Sequence, residues 1–197
     1  IIGGGVIGME FAFLYRSMDM QVYVVEYLDH ILGNVDADVS ELIAAQAAER
    51  GIRIFTGSKV TGILRSDSGE TLVTFEQDGQ IRTLVAQSVL TATGRRPVTD
   101  GLNLEAAGVA RTDRGAVAIN EQMQTNVPHI YAIGDVTGKV ALAHGASHQG
   151  IVAVDAIRGF PHEMDYDAIP SVIFTAPEAA CVGKSEQACK SRGFRSG

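Results

Sequence analysis

The stretch IIGGGVIG at residues 1–8 decides how this chain folds. Two apolar residues lead into Gly3, Gly5 and Gly8, which fit the pattern G-x-G-x-x-G. Apolar residues then recur at helical spacing: Phe11, Leu14, Tyr15 and Met18. Glycine allows a tight turn, close backbone approach to a pyrophosphate, and tight packing of the helix on its strand. The stretch therefore predicts a strand, turn and helix that bind a dinucleotide, although a glycine-rich turn without a ligand would look the same locally.

An acidic residue gives a second signal, at the end of the next predicted strand, QVYVVE at residues 21–26. Glu26 ends this strand at roughly the 20-residue offset where a carboxylate meets an adenosine ribose. A carboxylate there repels a 2′-phosphate, and residues 27–32, YLDHIL, contain no Arg or Lys to bind one. The sequence therefore favours NAD over NADP. An ordinary acid at a strand end is the alternative interpretation of Glu26.

The elements around this motif predict an α/β fold that is extended by an antiparallel meander. A helix is expected between a capping Asp36 and Gly51, with Val39, Leu42, Ile43 and Ala47 on its apolar face. Further expected strands are 52–55, a meander of 59–65, 71–76 and 80–85, buried runs at 88–92 and 130–133, and the candidates 171–175 and 179–182. Further expected helices are 142–158 and a short one capped by Ser185. Strand and helix alternation in the first part implies parallel pairing.

Composition excludes several classes of function. Hydrophobic residues make up 46% of the 197 residues, enough for a core, and the net charge of −7 disfavours binding to a phosphate backbone. No apolar run approaches the roughly 18 residues of a membrane span. Two cysteines, Cys181 and Cys189, are too few for a disulfide scaffold, so a reducing compartment is the default. The sequence predicts no metal site.

The string TNVPHIYAIGD at residues 125–135 carries a second site prediction. A strand that ends in Gly134-Asp135 places a carboxylate at the carboxyl end of a sheet, where ligands bind in doubly wound folds. Such a carboxylate can accept hydrogen bonds from a polyol such as the ribityl chain of a flavin. A helix cap or a turn aspartate is the alternative.

This string resembles the second flavin-binding segment of the pyridine nucleotide-disulfide oxidoreductases, T-x-x-x-x-h-y-h-h-G-D. The linker ATGRRP at residues 92–97 looks like the crossover of that family from its NAD domain to its FAD domain. Within the family, the branch that oxidises dihydrolipoamide is most similar at residues 141–144, 170–175, 177–178 and 182–186. The likeness covers essentially all of the chain.

The resemblance implies the cofactors NAD and FAD and a set of binding residues. The NAD site would comprise Gly3, Gly4, Gly5, Val6, Ile7, Gly8, Met9 and Glu10, with Glu26 at the adenosine ribose, Val60 near the adenine, and Gly94 near the cofactor. The FAD contacts would be Asp135, Ala141, Leu142, Ala143 and His144. Glu10 lies at the position where the family has an acid close to the nicotinamide and flavin rings. The alternative is that Glu10 is a solvated acid of the first helical turn. Ala141 replaces an expected Met, but contacts there are largely made by backbone.

The resemblance also implies a domain order and an activity. Residues 1–95 would form a Rossmann-like NAD-binding domain, 96–166 the returning part of an FAD-binding domain, and 167–197 the start of an interface domain. The parent protein would be a cytoplasmic homodimer, or would lie in the mitochondrial matrix if eukaryotic. It would oxidise dihydrolipoamide on the lipoyl domains of 2-oxoacid dehydrogenase complexes, and pass electrons through a redox disulfide and FAD to NAD⁺.

The catalytic elements of that family are not found in the sequence. No C-x-x-x-x-C pair is present, and none of the five histidines lies in an H-x-x-x-x-E context. We read Cys181 and Cys189 as structural thiols, and we expect an internal piece that carries binding residues without a catalytic set. The alternatives are another disulfide reductase or transhydrogenase of the family, or a non-catalytic nucleotide-binding module.

Overall fold

The computed structural model describes residues 1–193 as two compact units. The first unit combines residues 1–94 with 172–193, and the second comprises residues 95–171. The segment after 171 forms no compact unit of its own, so the proposed interface domain at 167–197 stays a prediction. Its last four positions, 194–197, lie outside the described residues.

The first unit contains the parallel α/β arrangement that the sequence predicts. Its elements are α1 (Val6–Ser17), β1 (Tyr23–Val25), α2 (Ala37–Glu49) and β2 (Arg53–Phe55). β1 and β2 pair in parallel, and Ile2 forms parallel bridges with both Val25 and Thr91. The predicted buried strand at 88–92 is wrong: with the described residues this run forms a single bridge, at Thr91, and none of its residues is buried.

The two helices pack on the sheet through their apolar faces. Buried residues of this core include Met9, Ala12 and Phe13 of α1, Val24 of β1, and Ile43 and Ala47 of α2. Leu42, predicted on the buried face of α2, is exposed. Asp36 occupies the N-cap position of α2, but its side chain accepts a hydrogen bond from Glu186 N at 2.7 Å and not from its own helix. Gly51 follows α2 with a φ of +82°, which explains why the helix ends there.

The meander is an antiparallel sheet of β3 (Ser58–Arg65), β4 (Thr71–Gln77) and β5 (Gln80–Ala86), and its prediction is confirmed to within one residue at each end. Asp78 and Gly79 both have positive φ, as the two-residue hairpin between β4 and β5 requires. Phe75 and Val73 are buried. The meander is a separate sheet that begins shortly after β2, and Ser58 N donates to Glu26 O at 2.8 Å, so the start of β3 lies beside the end of β1.

The remaining elements of this region are β6 (Ser171–Ile173), β7 (Ala179–Cys181) and α4 (Glu186–Ser191). β6 and β7 form a two-stranded sheet, and Ile173 is buried in the core that contains α1. Ser185 Oγ accepts a hydrogen bond from Ala188 N at 3.2 Å, which confirms the predicted cap of α4.

The second unit is organised around α3 (Ala143–Ile157), which matches the predicted helix. Its core contains Met123, Val152, Ala153 and Met164. The predicted buried strand at 130–133 is wrong: Tyr131 forms one antiparallel bridge with Gln124, and Ile133 is exposed. Among the described residues this run pairs on one side only, and none of residues 130–133 is buried. A 3₁₀ turn, Gly134–Thr137, follows it.

Candidate functional site

A cleft of about 670 Å³ opens at the glycine turn of the first unit. Its volume is within the usual range of small-molecule sites. Seven residues predicted to bind NAD line it: Gly3, Gly5, Val6, Ile7, Glu26, Val60 and Gly94. The remaining walls are Ile2, Val25, Tyr27, Asn34, Ser58, Lys59, Ala92 and Thr93. The fold thus gathers residues that are spread over 90 positions of sequence, from 3 to 94, around one space.

The three motif glycines are required for different reasons. Gly3 has a φ of +104°, and a Cβ there would meet the carbonyl of Ala92. A Cβ on Gly8 would overlap the carbonyl oxygen of Gly3. Gly5 has an ordinary φ of −72°, and a Cβ there would have nothing within 4 Å. Backbone packing therefore explains Gly3 and Gly8, whereas Gly5 keeps open a space that belongs to the cleft.

The N-terminus of α1 supplies hydrogen-bond donors at this space. Gly5 is the N-cap of α1, and within residues 1–193 no side chain caps the helix and no acid lies in its first turn. The first N–H groups of a helix lack intrahelical acceptors and carry partial positive charge. Such an end is suited to an anion like a pyrophosphate.

Glu26 is anchored to the glycine turn. Only 9% of its surface is exposed. One carboxylate oxygen accepts a hydrogen bond from Gly4 N, and the other accepts one from Leu28 N at 2.7 Å. An ionised carboxylate has about four acceptor positions, so two remain for further donors such as ribose hydroxyls. The sequence identifies Glu26 as a ligand residue but not as a support of the turn.

Four of the residues predicted to bind NAD lie behind or beside the wall of the cleft. Met9 is completely buried in the core. Gly8 packs on Gly3, and Gly4 packs on Glu26. Glu10 Oε1 accepts a hydrogen bond from Phe174 N at 2.9 Å. A ligand role for these four residues stays a prediction that the cleft geometry does not support directly.

Eight lining residues were not predicted to belong to the site, and Tyr27 and Lys59 are among them. Residues 27–32 contain no Arg or Lys that could bind a 2′-phosphate, whereas Lys59 lines the cleft from β3. Ser58 N donates to Glu26 O at 2.8 Å, so the first residue of β3 lies beside the end of β1. Recognising that a strand begins at 58 next to Glu26 would have pointed to Lys59.

A second cleft, of about 570 Å³, lies wholly within the second unit. Two of the predicted FAD residues, Asp135 and Ala141, line it. Cations also contribute to its walls: Arg95, Arg96, Arg114 and Lys139. The Asp135 carboxylate pairs with the Arg95 guanidinium at 2.8 Å, a partner that the sequence did not predict. The lining also contains Asp113, so the cleft combines four cations with two carboxylates, of which Asp135 is anchored by Arg95.

The backbone before Asp135 is held by a buried side chain. Gln149 of α3 is fully buried; its Oε1 accepts a hydrogen bond from Gly134 N at 2.6 Å. Its Nε2 donates to Tyr166 Oη at 3.0 Å, and that hydroxyl donates to Met123 Sδ at 3.8 Å. Gly134 has a φ of +76°. Gln149 thus fixes the turn that carries Asp135. The sequence prediction of this helix used its apolar residues only, so it missed the polar Gln149.

The other predicted FAD residues lie at the start of α3, outside the lining of this cleft. Leu142 is the N-cap of α3, and Ala143 is its first residue. His144 Nε2 lies 2.7 Å from Pro170 O, within hydrogen-bond distance. These residues define a helix N-terminus, but their contact with a flavin stays a prediction.

Comparison with known proteins gives the class. Residues 1–150 match the family model described as pyridine nucleotide-disulphide oxidoreductase. This chain belongs to that family. The family resemblance and the α/β fold expected from the sequence are therefore confirmed.

The curated relatives are more specific. Dihydrolipoyl dehydrogenase of Chlamydia pneumoniae is 46% identical over 95% of this chain and 40% of the relative. Those of Mycobacterium leprae and Geobacillus stearothermophilus are 45% and 40% identical over 98% of this chain, which covers 42% and 41% of their lengths. This chain thus spans about two fifths of the length of these relatives.

Solved structures give the same fold. LpdA of Mycobacterium tuberculosis superposes with a TM-score of 0.88 at 32% identity, over 97% of this chain and 41% of LpdA. RclA from Escherichia coli, described as an HOCl-induced flavoprotein disulfide reductase, superposes with a TM-score of 0.83 at 27% identity, over 96% of this chain and 43% of RclA. A pyridine nucleotide and a flavin are thus cofactors within the family, as the sequence predicted. No helix in residues 1–193 has the length and apolar character to cross a membrane.

Proposed function

We propose that the 670 Å³ cleft binds NAD, and that this chain is the nucleotide-binding part of a flavoprotein that oxidises protein-bound dihydrolipoamide. One observation carries the proposal. The Glu26 carboxylate and the glycine turn line the same cleft and are joined by the hydrogen bond from Gly4 N. The contact therefore holds an acceptor suited to ribose beside a donor array suited to pyrophosphate.

Each part of the cleft suits one part of the dinucleotide. The open space at Gly5 and the N-terminus of α1 suit the pyrophosphate. Glu26 suits the adenosine ribose, whose hydroxyls donate to the free acceptor positions of the carboxylate. Val60 and Gly94 line the same space and would bound the rest of the nucleotide.

The second unit would supply part of a flavin site. Asp135 would accept hydrogen bonds from the ribityl hydroxyls, with its carboxylate oriented by Arg95. Gln149 would hold the preceding turn, and the N-terminus of α3 at Ala143 would stabilise negative charge. When bound, FAD supplies the redox chemistry, which these residues do not have themselves.

Dihydrolipoamide is the proposed substrate because relatives of that activity are 39–46% identical to this chain. We extend the proposal to a cytoplasmic homodimer that contains a redox disulfide and serves the lipoyl domains of 2-oxoacid dehydrogenase complexes. A second candidate is reduction of another disulfide, which the structural likeness to RclA favours at 27% identity. The higher identity to the dihydrolipoyl dehydrogenases ranks the first candidate above it.

Titration of the 197-residue chain with NADH in a calorimeter tests the nucleotide site. We expect saturable binding of one NADH per chain, and weaker binding in a Glu26→Ala variant. A Glu41→Ala variant, altered at an exposed acid of α2 outside the cleft, is the matched control. Failure of the unmutated, folded chain to bind NADH would reject the proposal.

A further inference from the structure

The side chain of Tyr27 is a largely exposed aromatic group that lines the cleft. Its surface is 70% exposed, although it lines the cleft beside Glu26. Within residues 1–193, no other ring and no cation contacts the Tyr27 ring. A large exposed aromatic in a concave site is available for a ligand.

The backbone on both sides of Tyr27 is fixed. Glu26 N donates to Phe55 O at 2.8 Å, and Ser58 N donates to Glu26 O at 2.8 Å. On the other side, Leu28 N donates to the Glu26 carboxylate at 2.7 Å, and Gly57 N donates to Leu28 O at 2.7 Å. Only the two side-chain torsions of Tyr27 are therefore left to settle on binding, so little conformational entropy is lost.

We propose that Tyr27 is the stacking platform for the adenine base of the bound nucleotide. The inference rests on the proposed NAD site, because Glu26 fixes the place of the adenosine ribose. Adenine is bonded directly to that ribose, and the Cα atoms of Glu26 and Tyr27 are about 3.8 Å apart. The Tyr27 ring is thus within reach of a base whose sugar is held at Glu26.

The chemistry of the surroundings agrees with this assignment. Val60, on β3, lines the same cleft and offers an apolar surface to the base. Bases stack on aromatic side chains with little dependence on the identity of the base, since every base presents a π-face. Tyr27 would therefore contribute to the affinity for any ligand with adenosine, and not to the affinity for the nicotinamide half.

Calorimetric titrations of the 197-residue chain with NADH and ADP-ribose test the assignment. In Tyr27→Ala we expect both affinities to fall about tenfold, which corresponds to about 1.4 kcal/mol. Tyr27→Phe keeps the ring, so its affinities for NADH and ADP-ribose should stay within about twofold of those of the unmutated chain. Leu42→Ala, which truncates an exposed apolar residue of α2 outside the cleft lining, should leave both affinities unchanged.

Proton NMR of bound ADP-ribose gives a readout that a purely structural role would not change. The adenine protons should shift upfield in the unmutated chain and in Tyr27→Phe, and this shift should be lost in Tyr27→Ala. Unchanged affinities and shifts in Tyr27→Ala, with NADH still bound, would overturn the inference and leave the NAD site standing. Failure of the unmutated chain to bind NADH would instead overturn the proposed function, and this inference with it.

Discussion

The Glu26 carboxylate accepts a hydrogen bond from the amide of Gly4, so the acid expected to bind ribose also holds the glycine turn. The two groups are 22 positions apart in sequence and lie on different elements. This contact makes the proposed ribose acceptor and the proposed pyrophosphate donors one structural unit. Any change at Glu26 is therefore expected to affect the nucleotide at two places.

The first prediction concerns nucleotide choice. The unmutated chain should bind NADH more tightly than NADPH, because a buried carboxylate repels the 2′-phosphate. Glu26→Arg should narrow or reverse this preference, because it supplies a cation for the 2′-phosphate. Glu26→Gln should lower the ratio of NADH affinity to NADPH affinity about tenfold, or by about 1.4 kcal/mol. Competitive titrations with the two nucleotides measure the ratio. Equal affinities in the unmutated chain would contradict the argument.

A second prediction separates Lys59 from Glu26. Lys59 is exposed and is the cation among the cleft-lining residues that the structure describes. We expect Lys59→Ala to weaken NADPH binding several-fold more than NADH binding, because only NADPH carries the additional phosphate. The difference should shrink as salt rises toward about 1 M, where the Debye length is about 3 Å. Lys184→Ala, outside the cleft, is the control. A salt-independent effect would point to packing instead of charge.

Much of the fold could be predicted because its signals are local. The hairpin at Asp78 and Gly79, the cap at Ser185, and the apolar spacing of α1 each depend on a few neighbouring residues, and each is found where expected. The runs at 88–92 and 130–133 were predicted to be buried strands from apolar composition alone. Strand formation depends on partners that are distant in sequence, and both runs have only a single bridge among the described residues.

The candidate site was predicted unevenly for the same reason. Residues 3–7 and Glu26 follow from a motif with fixed spacing, and the structure places most of them around one cleft. Lys59 and Tyr27 depend on how β3 lies beside the end of β1, which the motif does not specify. Gln149 had a signal that was not used: it lies on the same face of α3 as the buried Gly145, Val152 and Ala153. A polar residue at a buried position indicates a specific hydrogen-bond partner.

A third prediction compares Gln149 variants of the second unit. Gln149→Leu removes the acceptor of the buried Gly134 N–H, which should destabilise the chain by roughly 1–3 kcal/mol. Gln149→Glu retains an acceptor and should keep the hydrogen bond from Gly134 N, although burial of its carboxyl group has a cost in stability of its own. The Gly134 amide proton, which is deshielded by its 2.6 Å hydrogen bond, should move upfield in the Leu variant only. Thermal unfolding and ¹H–¹⁵N spectra measure both effects. His148→Leu, exposed on the same helix, is the control; an equal loss there would reject the role given to Gln149.

The last prediction uses two glycines of one motif to separate folding from binding. Gly8→Ala places a methyl group on the Gly3 carbonyl oxygen, and overpacking of this kind costs roughly 1–3 kcal/mol. Alanine is the better helix former by about 1 kcal/mol, which offsets only part of that cost. Gly5→Ala meets no atom within 4 Å and has an ordinary φ. Alanine is less favourable than glycine at an N-cap, so the free energy of unfolding should fall, but by at most about 1 kcal/mol.

The two variants should respond to NADH in the opposite order. In Gly5→Ala the new methyl group enters the space proposed for the pyrophosphate, so NADH affinity should fall at least tenfold, or about 1.4 kcal/mol, with only the small N-cap loss of stability. In Gly8→Ala the main effect should be the loss of stability. The molecules that remain folded should lose less NADH affinity than Gly5→Ala does. Denaturant unfolding and calorimetry on the same preparations provide both numbers. If Gly5→Ala bound NADH as tightly as the unmutated chain, the pyrophosphate would not lie at the N-terminus of α1, and the orientation proposed for the nucleotide would be wrong.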